Sequence, residues 1–362
     1  MVLCSTPRRN KKVAVNPAMI VVARESRGWT QKDLAKVIRT TQGTVSKYEI
    51  GAIPVPDYHR DAICGALNYE RELLEQSDLL VGLGGDFLYR KRARLSARAQ
   101  RRVEAEANIR KIQVVRLLRG AAIEERFPFP AIPLNEVAGR PEKAAQELRR
   151  AFRIPQGPVR SLTRILENAG AIVFTIDFGT DYVDGTNIRL PGIPPLLFLN
   201  MNVPGERHRF NLAHELGHAV MHFATAIGDP EVEANQFANE FLMPKTEIRS
   251  DLRDLDLGAA LRLKRVWGVS MAAIIRRAYT LNAISEATYR RLFTQLGAGG
   301  LRTREPEPLP FEQPETFNEL LEFHRGKLGF SDEEMRKLLL TDRLGEIPIP
   351  HTPQMRLTES LF

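Results

Sequence analysis

At 362 residues and 43% apolar content, the chain is long enough for two or three domains with real cores, which excludes a disordered or fibrous protein. Its net charge of +8 suits an anionic partner, nucleic acid first among them. Two cysteines, Cys4 and Cys64, are too few for a disulfide scaffold or a thiolate metal site, and no apolar stretch approaches a membrane span, so a reducing, cytoplasmic setting without a membrane partner is expected.

Residues 1–14 read as a basic tail with Arg8, Arg9, Lys11 and Lys12. Over 15–70 short helical periods are broken by turn residues, which predicts one small helical domain. Thr30 is placed to cap a helix whose apolar positions Leu34, Ala35 and Ile38 share a face, with Asp33 as capping-box partner. Thr41 is placed to cap the next helix, where Val45 points inward while Gln42, Thr44 and Lys47 point out, as a recognition helix in a major groove requires. Gln31, at the start of the preceding helix, is expected beside a phosphate. The run Trp29-Thr30-Gln31, Leu34-Ala35, then Gln42, Thr44, Val45, Ser46, Tyr48, Glu49 and Gly51 resembles the phage-repressor-like helix-turn-helix domains, whose DNA binding it implies. It departs from them in the turn, where Arg39 and Thr40 stand for the usual glycine and apolar residue.

Residues 71–135 read as a basic helical connector, strongly cationic between Arg90 and Arg119, with a solvated helix as the plainer reading and phosphate contact as the sharper one. Pro128, Pro130 and Pro133 mark a hinge. A second domain is predicted over 136–250. Its helices are expected at 142–152 and 159–170, strands at 171–176, 187–190 and 195–201, then helices at 206–223 and 230–242, the last stopped by Pro244. Beyond it, 251–300 reads as a helical extension, 301–316 as a Pro/Glu-rich linker and 317–362 as a helical tail, with 261–281 and 318–340 helical and amphipathic. The fold class expected is α+β and mostly helical: an all-α helix-turn-helix domain, a zincin-like domain with a small β-sheet and an active-site helix, then a helical C-terminal region.

The chemistry is concentrated at His214-Glu215-Leu216-Gly217-His218, a His-Glu, two residues, then His signature that composition alone produces in on the order of one in a hundred such chains. On a helix, residues four apart lie about 6 Å from each other on one face, so both imidazoles can reach one zinc ion about 2.1 Å away. Glu215, between them, is placed to take a proton from an attacking water. A catalytic zinc needs a third protein ligand. Glu231 is preferred to Glu233 because its i, i+4 partner Asn235 could orient a ligand from behind. His222 continues the row of rings but lies too far along the axis to share the ion, and reads as second shell or packing; His208 reads as surface or structural. For a group to stabilise the developing oxyanion, Tyr182 and His222 are candidates.

The stretch from Arg207-His208-Arg209-Phe210-Asn211-Leu212-Ala213 through the signature, followed by Glu231-Val232-Glu233-Ala234-Asn235-Gln236-Phe237-Ala238 and Phe241-Leu242-Met243-Pro244, resembles the ImmA/IrrE metallopeptidases. That resemblance implies zinc at His214, His218 and the Glu231 position and Glu215 as the catalytic acid and base. Members of the family cut helix-turn-helix repressors, which derepresses mobile-element transfer or a stress response, and some are fused to a repressor-like head. Three functions follow as alternatives: a regulatory endopeptidase that cleaves a small repressor, a transcription regulator whose peptidase-like half only senses a ligand or partner, and the toxin of a toxin–antitoxin pair. A homodimer is open in each.

Overall fold

The computed structural model describes residues 14–77, 80–81, 96–123, 129–179, 184–222, 228–302, 304–344 and 357–359. Residues 1–13 of the basic tail, with Cys4, the cationic residues 90–94, Pro128 of the expected hinge and Tyr182 lie outside the described residues. The chain divides into two compact units, one formed by residues 1–80, 101–116 and 330–348, the other by 81–100, 117–329 and 349–362.

The first unit opens with helices α1 (Pro17–Ser26), α2 (Gln31–Val37), α3 (Gln42–Glu49) and α4 (Asp57–Leu67), followed by a 3₁₀ turn at Arg71–Glu75. Their starts are set by side chains that satisfy orphan amides. Asn16 accepts from Ala18 N, Thr30 and Asp33 form a reciprocal capping box, and Thr41 accepts from Thr44 N. Met19, Ile20, Leu34, Val45, Ile63 and Leu67 fill the centre with no exposed surface. One buried ion pair ties the domain across the core: Arg24 binds both carboxylate oxygens of Glu49, at 2.6 and 3.1 Å, and the carbonyl of Trp29 at 2.6 Å.

The turn between α2 and α3 answers the departure noted in the sequence. Arg39 takes the left-handed conformation (φ +54°), the backbone state that glycine adopts without strain. The connector is a difference of substance. Helix α5 (Ala97–Leu117) keeps Arg98 and Arg101 exposed in its first turns, but beyond them it is largely inside: Ala105, Ile109 and Ile112 join the first unit's core, while Lys111 and Gln113 are almost wholly buried. Two of its polar groups tie it to a later helix. Arg116 donates to Leu338 O at 2.6 Å and Gln113 to Leu339 O at 2.9 Å, both in the helix Asp332–Leu339. The cations had concealed an amphipathic period of small and β-branched residues.

The second unit contains β1 (Ala121–Ile123), α6 (Pro141–Ala151), α7 (Leu162–Asn168), β2 (Ile172–Ile176), β3 (Gly185–Ile188), β4 (Leu196–Asn200), α8 (Gly205–Met221), α9 (Pro230–Leu242), α10 (Lys245–Ile248), α11 (Leu257–Trp267), α12 (Met271–Thr280), α13 (Glu286–Ala298), α14 (Thr316–Gly326) and β5 (Leu357–Glu359). The three-stranded sheet runs β2-β4-β3, with β4 parallel to β2 and antiparallel to β3. Every residue of β4 is buried, which explains its unbroken apolar run. The edge strand starts at Gly185, two residues before the expected 187. Helices α8, α9 and α6 pack beside this sheet around Leu197, Leu199, Leu216, Phe237 and Phe241. A separate antiparallel pair, β1 with β5, had no sequence signal.

Two C-terminal stretches read as continuous helix are each broken. Gly268 (φ +65°) separates α11 from α12, and Gly329 (φ +71°) with a Ser331–Glu334 capping box separates α14 from the helix Asp332–Leu339. The Pro/Glu-rich segment is not a free linker but a strap pinned by its acids. Glu305 binds Lys264 at 3.0 Å and Met271 N at 2.9 Å, Glu307 pairs with Arg265, and Glu312 pairs with Arg209 and accepts from Thr163 N at 2.7 Å. Among the described residues no helix is long and apolar enough to cross a membrane.

Replacing Arg39 by glycine removes the left-handed strain and should raise the melting temperature, with a gain of up to about 1 kcal/mol. Thermal unfolding of Arg39→Gly beside the parent chain checks this, and a lower melting temperature contradicts the account of the turn.

Candidate metal centre

Helix α8 presents His214 and His218 on one face, one turn apart and nearly buried at 7% and 9% exposure. Helix α9 begins beside it. Asp229 caps that helix through Glu231 N at 3.1 Å and Pro230 fills its first position, which places Glu231 in the first turn. The two helices approach closely because Gly217 has no side chain: a Cβ there would lie 3.0 Å from Phe237 Cδ1. As a result His214, His218 and Glu231 offer three ligand atoms within 4.8 Å of one another.

The inner geometry is that of a donor set. His214 Nε2 lies 3.1 Å from His218 Nε2, and the Glu231 carboxylate reaches to 3.3 Å from the latter and 3.7 Å from the former. Glu231 Oε1 is buried and makes no hydrogen bond. A buried carboxylate oxygen without a donor is costly, and a cation between the three groups removes the cost. Burial acts to raise the Glu231 pKa, but contact with His214 and His218 outweighs it and leaves the group at about 2, ionised and able to bind metal. Two imidazoles and one carboxylate are the set that leaves a position open on a tetrahedral ion.

Behind the ligands runs a relay. His222 Nε2 lies 2.8 Å from Glu233 Oε2, and His222 Nδ1 lies 3.0 Å from His218 Nδ1. Burial, then the neighbouring His218, hold the His222 pKa down, so the ring is neutral. With Glu233 as the acceptor of this contact, the His222 proton lies on Nε2 and Nδ1 is an acceptor. A cation held at the three ligand atoms would take the His218 Nε2 lone pair, and His218 would then carry its proton on Nδ1, facing the His222 Nδ1 acceptor. Both acids of α9's first turn are therefore used, on different histidines. His222 sits behind the ligand row, and with both ring nitrogens engaged it has no donor left for an oxyanion.

Glu215 is 1% exposed and is held from the sheet. Asn187 Nδ2 donates to Glu215 Oε2 at 3.0 Å, and Gly185 makes room for the side chain, since a Cβ there would lie 2.9 Å from Glu215 Cγ. Neither residue was singled out in the sequence; a polar residue inside a short strand was the only hint. Asn235 departs from expectation. It donates to the backbone carbonyl of Glu231 at 2.7 Å, on its own helix, and its side chain orients no ligand. His208 is structural: it is 2% exposed, stacks edge-on with Phe311 at 4.9 Å, and burial pushes its pKa down to about 4. A cavity of about 640 Å³ opens on His214, Glu215 and Glu231 and is lined further by Phe210, Asn211 and Arg276.

In the first unit, Gln42 and Lys47 are exposed on α3, Thr44 is half-buried and bonded to Thr41 Oγ1 at 2.9 Å, and Val45 is buried. Gln31 is built into a polar chain: it donates to Glu49 at 2.8 Å and accepts from Gln42 at 3.1 Å. Its orientation is thus fixed before any phosphate arrives.

Breaking the relay should weaken metal binding without touching a ligand. Glu233→Gln and His222→Phe are each expected to lower the affinity for a divalent metal about 10- to 100-fold, measured by competition with a chelator; unchanged affinity in both would remove the relay's role.

With this geometry in view, residues 166–279 match the IrrE N-terminal-like domain family, and residues 22–60 match the helix-turn-helix family. No curated protein matches the chain. The first match spans the sheet, α8, α9 and Glu231; the second spans α2 and α3. In that order, the two matches give an IrrE N-terminal-like domain preceded by a helix-turn-helix domain, the arrangement of the ImmA/IrrE proteins that the chain resembles.

Proposed function

We propose that the chain is a DNA-binding, zinc-dependent regulatory endopeptidase of the cytoplasm that cleaves a helix-turn-helix repressor. The observation that carries the hydrolytic part is the convergence of His214, His218 and Glu231 with the buried Glu215 beside them in one open cavity. A closed structural site has no use for a general base. The DNA-binding part rests on the exposed polar face of α3, and the choice of a repressor as substrate rests on the family resemblance together with that head.

Zinc held by the three ligands would supply Lewis acidity toward the scissile carbonyl. The chain's own groups do the rest. Glu215, aligned by Asn187, accepts a proton from the attacking water and delivers it to the departing amine. The wall formed by α8 and the edge strand β3 shields that carboxylate from bulk solvent, which strengthens its interaction with the proton it carries. Glu233 and His222 keep His218 in the tautomer that binds metal. On the DNA side, Gln42 and Thr44 are assigned to base edges, Lys47 to a phosphate, and Gln31 to the helix amino end beside the backbone.

Glu215→Gln should retain zinc while cleavage of a helix-turn-helix repressor that the parent chain cuts falls at least 10²-fold; metal analysis with a gel-based cleavage assay measures both, and native cutting by the variant refutes the assignment. Lys47→Ala should weaken binding to all sequences alike and reduce the salt slope by about one, as read from DNA affinity at several salt concentrations; an unchanged slope removes Lys47 from the interface.

A further inference from the structure

The cavity beside the metal centre holds polar groups that neither the ligands nor Glu215 use. Asn211 lies on α8 one turn before His214 and Glu215 and therefore shares their helix face. It is only 9% exposed, it lines the cavity, and its Nδ2 has no hydrogen-bond partner. A buried N–H without an acceptor is unfavourable in the free protein, so an acceptor brought by a ligand meets it at a gain.

The charges in the same cavity select what kind of acceptor fits. Asp184 is paired with Arg207 at 2.7 Å, Glu206 and Glu305 share the buried Lys264, and Glu215 and Glu231 belong to the metal centre. Two cations remain. Arg276 on α12 is exposed and, among the described residues, pairs with no acid. Arg302 is held in place by Phe293, whose carbonyl accepts from Nη2 at 2.9 Å and whose ring lies 5.8 Å from the guanidinium. Its charge, like that of Arg276, has no counter-ion among the described residues.

We propose that this part of the cavity is a subsite for an acidic side chain of the substrate peptide, its carboxylate accepting from Asn211 Nδ2 within the field of Arg276 and Arg302. The inference rests on the peptidase reading and adds a substrate class to it: chains carrying Asp or Glu close to the scissile bond. A neutral amide side chain could satisfy Asn211 but gains nothing from the two guanidiniums, whereas a carboxylate gains from both. An apolar side chain would leave the buried donor unpaired, which discriminates against it.

The test is a selection on the full-length chain. Zinc-loaded Glu215→Gln protein is immobilised and a randomised hexapeptide library is passed over it, so that binding is read without turnover. Retained peptides should be enriched at least fivefold in Asp or Glu at one position. The enrichment should vanish when Asn211→Leu or Arg276→Gln is added. Asn211→Leu removes a donor that bonds to nothing in the free protein, so it should melt at or above the parent's temperature, which separates a lost subsite from a lost fold. Peptides retained without acidic enrichment, enrichment that survives both substitutions, or no retained peptide at all would overturn the subsite. Parallel digestion of the library by the unsubstituted chain separates the two claims: cutting without acidic preference sinks the subsite and leaves the hydrolase, while neither binding nor cutting sinks both.

Discussion

The contact of Gly217 against the ring of Phe237 sets the distance between α8 and α9, and the ligand atoms of the candidate metal site converge at that distance. Two of the three candidate ligands come from one helix and the third from the other, and metal–ligand bonds of about 2.1 Å would leave little tolerance in their separation. A methyl group at residue 217 would sit 3.0 Å from the Phe237 ring, so one helix would have to move or the ring would have to turn. Glycine is an unfavourable helix residue, and its presence in the middle of α8 is explained by this approach.

The same helix is gripped from its other side. Gly185 lets the edge strand come up against Glu215, and Asn187 from that strand fixes one carboxylate oxygen. Glu215 is therefore oriented by the sheet, while His218 is oriented by Glu233 through His222. Histidines and acids that would be unfavourable in isolation form a connected network in which each buried polar group has a defined partner or faces the metal position.

The strap from Glu305 to Glu315 extends this support to the start of α8. Lys264 is fully buried and lies between Glu206, in the first turn of α8, and Glu305 on the strap, at 2.7 and 3.0 Å. A buried ammonium is tolerated only with such partners, so the two carboxylates and the lysine require one another. Leu309 N donates to Glu206 at 3.1 Å, and its carbonyl fills the space beside Gly205. A stretch rich in Pro and Glu is in this way ordered, because its acids meet Lys264, Arg265 and Arg209.

What the sequence determined by itself is local. The i, i+4 spacing of His214 and His218, the caps at Thr30 and Thr41 and the apolar run of β4 follow from backbone periodicity and short-range hydrogen bonding, and each is legible from neighbouring residues alone. The preference for Glu231 over Glu233 rested on the wrong detail, since Asn235 turns back to its own helix; geometry between helices separates the two acids, with Glu231 beside the ligand rings and Glu233 on His222. Asn187, the strap and the buried face of α5 were hidden for the same reason. Their partners lie tens of residues away in the chain, and only the tertiary structure brings a donor to an acceptor across that separation.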